Sequence, residues 1–146
     1  MSLLVQKIIE DKSTLEEAFK IRFKVFVEGQ NVPAEEELDQ FENEATHFLA
    51  YLNGKPVGTA RWRFTPKGIK LERFAVLNEC QGEGVGAALI NEVLEDVRQN
   101  PVSKGKMRYL HGQVEVEEFY KKFGFTSIGE PFDECGIMHY LMTLEE

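Results

Sequence analysis

The stretch ERFAVLNECQGEGVGAALINEV, Glu72 to Val93, runs from an alternating apolar segment into a helical one, and Gly82, Gly84 and Gly86 stand on alternate positions at the join. Beyond the join Val85, Leu89, Val93 and Val97 recur every four residues, with Ile90 and Leu94 beside them. That spacing predicts an amphipathic helix over 84–99, at about 3.6 residues per turn. Glycine in a helix weakens it by about 1 kcal/mol relative to alanine. A glycine turn that opens a helix has one use that offsets this cost. Main-chain N–H groups converge there with no Cβ in the way, where the helix dipole carries roughly half a positive charge. An anion is the natural occupant. As a string alone, QGEGVG is equally consistent with a loose connection.

Working outward, LLVQKIIE reads as a first strand. Ser13 with Glu16 three residues on reads as a capping box, and Leu15, Phe19, Arg22, Phe23 and Phe26 keep helical spacing until Gly29 and Pro33 end the helix. The acidic PAEEELDQFENEA reads as a loop with one helical turn. Asn53–Gly54 is a hairpin signal between THFLAYL and the alternating VGTARWRF, and KGIKLERFAV continues the meander. MRYLHGQV reads as a strand, EVEEFYKKFG as a short helix closed by Gly124, and FTSIGEPF with IMHYLMTLE as two last strands. Strands outnumber helices and meander in the middle. The fold class expected is α/β (α+β), with a mixed sheet.

Length and composition bound the function. A chain of 146 residues fits one domain, expected over 1–146, with enough material for a core. No apolar run approaches the ~20 residues of a membrane span, and MSLLVQKIIEDK lacks the pattern of a secretory leader. The two cysteines, Cys80 and Cys135, form no framework, so free thiols in the cytoplasm are expected. The net charge is −8 and there is no long basic run, which argues against nucleic acid and favours cationic partners such as amines.

Three readings compete for the glycine turn. Gly82-x-Gly84-x-x-Ala87 satisfies the dinucleotide fingerprint, but the acid expected about twenty residues on is missing from NPVSKGKMR, and the turn follows a meander. No Walker sequence is present. The third reading is a pyrophosphate cradle built from backbone alone, which suits a loop without lysine. Here Gln81 to Gly86 resembles the Arg/Gln-x-x-Gly-x-Gly/Ala motif of the GNAT superfamily, the acetyl-CoA-dependent N-acetyltransferases. EEFYKKFGF, Glu117–Phe125, resembles their aromatic-Tyr-x-x-x-Gly-Phe signature, and Gln113 stands where the family often has Asn. RFKVFVEGQ and the ending FDECGIMHYLM resemble the ElaA-like branch, so the likeness spans almost the whole chain. Gly29 replaces a family Glu, with Glu28 beside it, and Gln81 replaces Arg.

The resemblance implies a GNAT-like sheet of six or seven mostly antiparallel strands, flanked by about four helices and splayed between strands four and five. It implies acetyl-CoA as co-substrate and transfer of the acetyl group to a small-molecule amine or a peptide N-terminus by direct attack; from the ligand residues no metal is expected. No acyl-enzyme is needed. A homodimer is one assembly left open. The coenzyme would be held by Phe74, Ala75 and Val76 of the fourth strand, by Gln81, Gly82, Glu83, Gly84, Val85, Gly86 and Ala87 of the turn, and by Gln113, Phe119 and Tyr120. Tyr120 would serve the leaving thiolate, although it could equally be a buried core tyrosine. Phe119, Phe123 and Phe125 also suit plain packing. Strand alternation puts Glu72, Phe74 and Val76 on one face and Arg73 on the other, which makes Glu72 the first candidate base and Glu28 the second. Either could be merely ion-paired. Glu28, Gln30, Arg73, His111 and His139 are candidates for the acceptor side, although a lone strand histidine is more often structural. Cys135 and His139 fall short of a zinc site, and Cys135 as an acyl carrier would need an activating base.

Overall fold

The computed structural model describes residues 2–145. Its elements follow the chain as β1 (Leu3–Lys7), α1 (Lys12–Arg22), α2 (Ala34–Glu37), β2 (Thr46–Leu52), β3 (Lys55–Thr65), β4 (Gly68–Val76), α3 (Val85–Gln99), β5 (Arg108–Gln113), α4 (Glu117–Lys121), β6 (Thr126–Glu134) and β7 (Ile137–Leu144). The seven strands form one sheet in the order β1-β2-β3-β4-β5-β7-β6. All neighbours are antiparallel except β4 and β5. This is the GNAT fold, as the sequence motifs imply.

Local chemistry corrects two boundaries. Asp11, not Ser13, caps α1: its backbone is still extended, and its Oδ1 accepts from Thr14 N at 3.2 Å and from Ser13 Oγ at 2.8 Å. Nor does Gly29 end the helical segment. Phe23–Glu28 continue α1 as a π-helical stretch and Gly29 stays right-handed. Asn31 then takes a left-handed φ of 59°, and Val32 N donates back to Phe26 O at 2.9 Å.

α3 lies on one face of the sheet. Val85, Leu89, Ile90, Val93 and Val97 are fully buried against Phe48, Trp62, Ile69, Leu71, Leu110 and Met142. Each such side chain contributes about 1.5–3 kcal/mol. The close fit depends on Gly58 of β3, where a Cβ would stand 2.8 Å from Val85 Cγ1. α1 covers the other face through Ala18 and Ile21, over Leu49 and Ala75.

Simple alternation fails in β4. Arg61 pairs with Glu72 and Thr59 with Ala75, so Arg73 and Phe74 together oppose the single residue Ala60. The extra residue is a β-bulge, with Arg73 at φ 59°. Ile69 and Leu71 face α3 before it, and Phe74 and Val76 face α3 after it. Glu72 therefore points to the opposite face from Phe74 and Val76, contrary to the expected grouping, and it shares an ionic cluster with Arg73.

Candidate active site

β4 and β5 pair only from Ile69↔Arg108 to Leu71↔Leu110. Past that point β5 stays on β7 while β4 stays on β3, and the two strands part. A cavity of about 550 Å³ opens in the gap. Phe74, Ala75 and Val76 line one side, and the glycine turn closes one end with Gln81, Gly82, Gly84, Val85, Gly86 and Ala87.

Gly82 and Gly84 both adopt φ of 85°, a left-handed conformation that a side chain resists. Gly84 is the N-cap of α3, and no side chain caps the helix there. The first-turn N–H groups have no intrahelical acceptors and end at the cavity. Gly86 serves a different end. A Cβ on it would approach Phe119 Cζ to 3.3 Å, so its lack of one lets the α4 aromatics close on α3. The turn is thus a specific left-handed conformation that leaves main-chain N–H groups of the helix start without side-chain partners. Glu83 is exposed and stands outside the cavity lining.

Phe119 and Tyr120 line the next wall. Tyr120 meets Phe74, Phe119 and Phe125 edge-on, with centroids 5.2–6.2 Å apart. Burial pushes its phenol up, so it holds its proton more firmly than a free tyrosine. Gln113 Nε2 donates to Gln30 Oε1 at 2.9 Å, which ties the end of β5 to the residue just before Asn31.

The far end of the cavity is ionic. Arg61 is fully buried and bonds Glu72, Asp39 and Glu42 at 2.6–3.0 Å. Arg22 bonds Glu37 and Glu42. Arg73 Nη2 reaches Glu37 O and Asp39, while its Nε lies 3.1 Å from Glu37 Oε2, off the line of a hydrogen bond. The segment read from sequence as an acidic loop is therefore the counterion of three arginines, which clamps α2 against the cavity.

Glu72 belongs to this cluster. Burial alone would raise its carboxyl, but Arg61, Lys70 and Arg63 outweigh that and hold it below the usual carboxylate range. A carboxylate so engaged is a poor base. Glu28 is exposed and not among the lining residues; Val25 and Phe26 of the π-helical stretch and Gln30 after it line the cavity instead. Neither carboxylate retains the features of a general base.

His111 and His139 both line the cavity and meet at one carboxylate that sequence reading missed, Glu134. His111 Nδ1 lies 3.0 Å from Glu134 Oε1, and His139 Nε2 lies 3.9 Å from Glu134 Oε2. Cys135, at φ 53° in the β6–β7 turn, donates its thiol to Glu36 Oε2 at 3.3 Å. Burial and that bond push the thiol up, so it is no activated nucleophile. Among the described residues no group of three or more His, Cys, Asp or Glu side chains is arranged to hold a metal, and no helix is long and apolar enough to cross a membrane.

Residues 10–146 match the family described as "Acetyltransferase (GNAT) domain". Bacillus subtilis YjcF, described as an uncharacterized N-acetyltransferase, is 40% identical over 136 residues, which cover 92% of this chain and 95% of YjcF. The ElaA protein of Escherichia coli is 30% identical over 91% of this chain and 88% of its own. The ElaA crystal structure superposes with a TM-score of 0.86, covering 99% of this chain and 100% of that one. A GNAT family acetyltransferase from Elizabethkingia anophelis, solved with acetyl-CoA bound, shares the fold at a TM-score of 0.73 and 17% identity, covering 99% of this chain and 98% of that one.

Proposed function

The chain belongs to the GNAT acetyltransferases, and from that premise we propose that it moves an acetyl group from acetyl-CoA to a primary amine, on a small molecule or a peptide N-terminus, by direct attack with both substrates bound. One observation carries the reading: β4 parts from β5 after Leu71, and the gap runs to an uncapped helix start entered through two left-handed glycines. A long ligand with an anionic diphosphate at one end and an extended chain at the other fits that shape. The acetyl-CoA bound by the Elizabethkingia anophelis relative supports the same donor here.

In this reading the N–H groups of 82–87 hold the pyrophosphate without a lysine. The free edge of β4 at Phe74, Ala75 and Val76 pairs with the pantetheine, and an N–H there stabilises the oxyanion that forms on the thioester. Gln113 and Phe119 flank the chain. The amine attacks as the neutral base, the C–N bond forms, and the C–S bond breaks. Tyr120 hydrogen-bonds the departing sulfur. The raised phenol favours that role over outright proton donation. Arg73 and Gln30 border the acceptor end. Alignment of two bound substrates supplies much of the rate, since well-oriented pairs gain about 7–11 kcal/mol.

The test is thermal melting with acetyl-CoA, CoA or NAD, followed by thiol release over a panel of primary amines. A ligand at a hundred times its Kd stabilises by about 2.7 kcal/mol. The expected result is stabilisation by acetyl-CoA and CoA, with thiol release for at least one amine. Stabilisation by NAD alone would overturn the donor. Stabilisation by CoA with no release from any amine would leave an acyl-CoA-binding module.

A further inference from the structure

We propose that His111, held by Glu134, is the general base that takes the proton of the acceptor amine. The proposal rests on the function given above and supplies the group that neither Glu72 nor Glu28 provides. His111 follows Leu110, the last β5 residue paired with β4, so it is the first β5 residue of the open part of the gap. Leu110 is buried in the α3 core, and the pleat turns His111 to the opposite face, the face of Glu72 and Arg73.

The hydrogen bond fixes the tautomer. An ionised carboxylate only accepts, so at 3.0 Å the hydrogen between His111 and Glu134 belongs to Nδ1. The neutral ring then carries its lone pair on Nε2, which has no hydrogen-bond partner among the described residues. Phe132 packs edge-on to the ring at 5.0 Å and Tyr109 lies at 6.1 Å, which limits its rotation. Glu134 is held ionised chiefly by the His111 bond itself, with His139 and Lys70 adding to it.

The rival groups along the cavity are occupied. Glu72 answers Arg61, Arg63 and Lys70, and Glu37 lies between Arg22 and Arg73. Glu36 accepts from Cys135 at the mouth. His139 Nδ1 donates to Ile137 O at 2.7 Å, and its Nε2 faces the Glu134 already used by His111. The charged and titratable groups around His111 are Glu134 of β6, His139 of β7, Lys70 of β4 and Tyr109 on its own strand.

The step balances. An ammonium acceptor gives one proton to His111 Nε2. The freed lone pair attacks the carbonyl carbon, the C–N bond forms, and the C–S pair departs on the coenzyme sulfur. The new amide nitrogen sheds its second proton, which ends on that thiolate, and His111 returns its own to solvent.

The experiment measures kcat against pH by thiol release, using the first primary amine of the panel that wild type acetylates. The wild-type profile is expected to fall on the acid side as His111 protonates. His111→Gln is expected to lower kcat about 100-fold, to lose that acid limb, and to leave the KM for acetyl-CoA unchanged. Added imidazole is expected to restore part of the activity of His111→Ala. Glu134→Gln removes the carboxylate that accepts from His111 Nδ1, so it is expected to move the acid limb and lower kcat about tenfold. Wild-type kcat with an unaltered acid limb in His111→Gln would overturn the proposal. If His111→Gln melts too low to assay, an acid limb unmoved in Glu134→Gln overturns it alone. If wild type acetylates no amine of the panel, the proposed function falls and this inference falls with it.

Discussion

The two ends of the cavity are built from different material. The end at α3 is main chain: two left-handed glycines, an uncapped helix start and an unpaired strand edge. The end under α1 and α2 is side chain: arginines, carboxylates and two histidines drawn from distant parts of the chain. A main-chain end depends on backbone conformation, so it resists change at few positions. A side-chain site is specific to its own sequence, and here most of its members are engaged with one another. The same contrast separates their failures: damage to the first should cost affinity, and damage to the arginines and carboxylates of the second should cost stability.

The largest test of that contrast is Arg61→Met. Three carboxylates would lose their shared buried cation, and chemical denaturation should register a loss of about 3–5 kcal/mol. A loss below about 1 kcal/mol, the worth of a surface ion pair, would mean the cluster is solvated and the contrast is wrong. Next is Gly84→Val. A β-branched residue resists φ of 85°, and calorimetry should show acetyl-CoA binding weakened about 100-fold, or about 2.7 kcal/mol, with a smaller fall in melting temperature. Unchanged affinity would mean that the glycine turn does not hold the anion.

Tyr120→Phe should lower kcat about tenfold and leave acetyl-CoA binding nearly intact. Equal activity would make Tyr120 part of the core alone. The smallest effect is on a slope. Asp39, Glu42 and Glu72 are all held below their ordinary range in the folded protein, with arginines outweighing burial in each case. Their contribution is complete above the unfolded values of about 4 and is lost as pH falls through the folded ones. His47, kept neutral by burial, begins the loss nearer its ordinary 6.5. Melting temperature should therefore decline below about pH 6.5 and steeply below pH 4, and Glu72→Gln should flatten the lower part by about one proton. An identical slope would place Glu72 outside the cluster.

The sequence made the first end legible because its parts are contiguous. Gln81 to Ala87 carry both the conformation and the N–H groups, and the change of period at Val85 gives the helix. Phe119 and Tyr120 follow from a second short string. The other end depends on pairs that no local pattern announces. His111 and Glu134 are 23 positions apart, and Cys135 and Glu36 are 99 apart. A single inserted residue also misled the reading. Alternation through Glu72, Phe74 and Val76 assumes a regular strand, and nothing in KLERFAV signals that Arg73 is left-handed. The acidic run at 33–45 reads as a loop with one helical turn because the arginines that it answers lie on α1, β3 and β4. The one available hint was the abundance of arginine in the alternating TARWRF, where a buried face has to find anions.

The short β4–β5 ladder has a further consequence. Among the described residues, the ladder that joins the four-stranded side of the sheet to the three-stranded side pairs just Ile69–Leu71 with Arg108–Leu110, with Ile69 N also donating to Met107 O. Each side has its own antiparallel neighbours, so the two halves meet across the shortest ladder among the described strands. Amide hydrogens at 72–76 that face the seam should exchange with deuterium far sooner than those facing β3. A bound chain lying in the seam would slow that exchange on both halves at once, as added rungs slow the parting of a zip. The sheet would then register its ligand as a mechanical splice, with two half-sheets that open separately when empty opening together when filled.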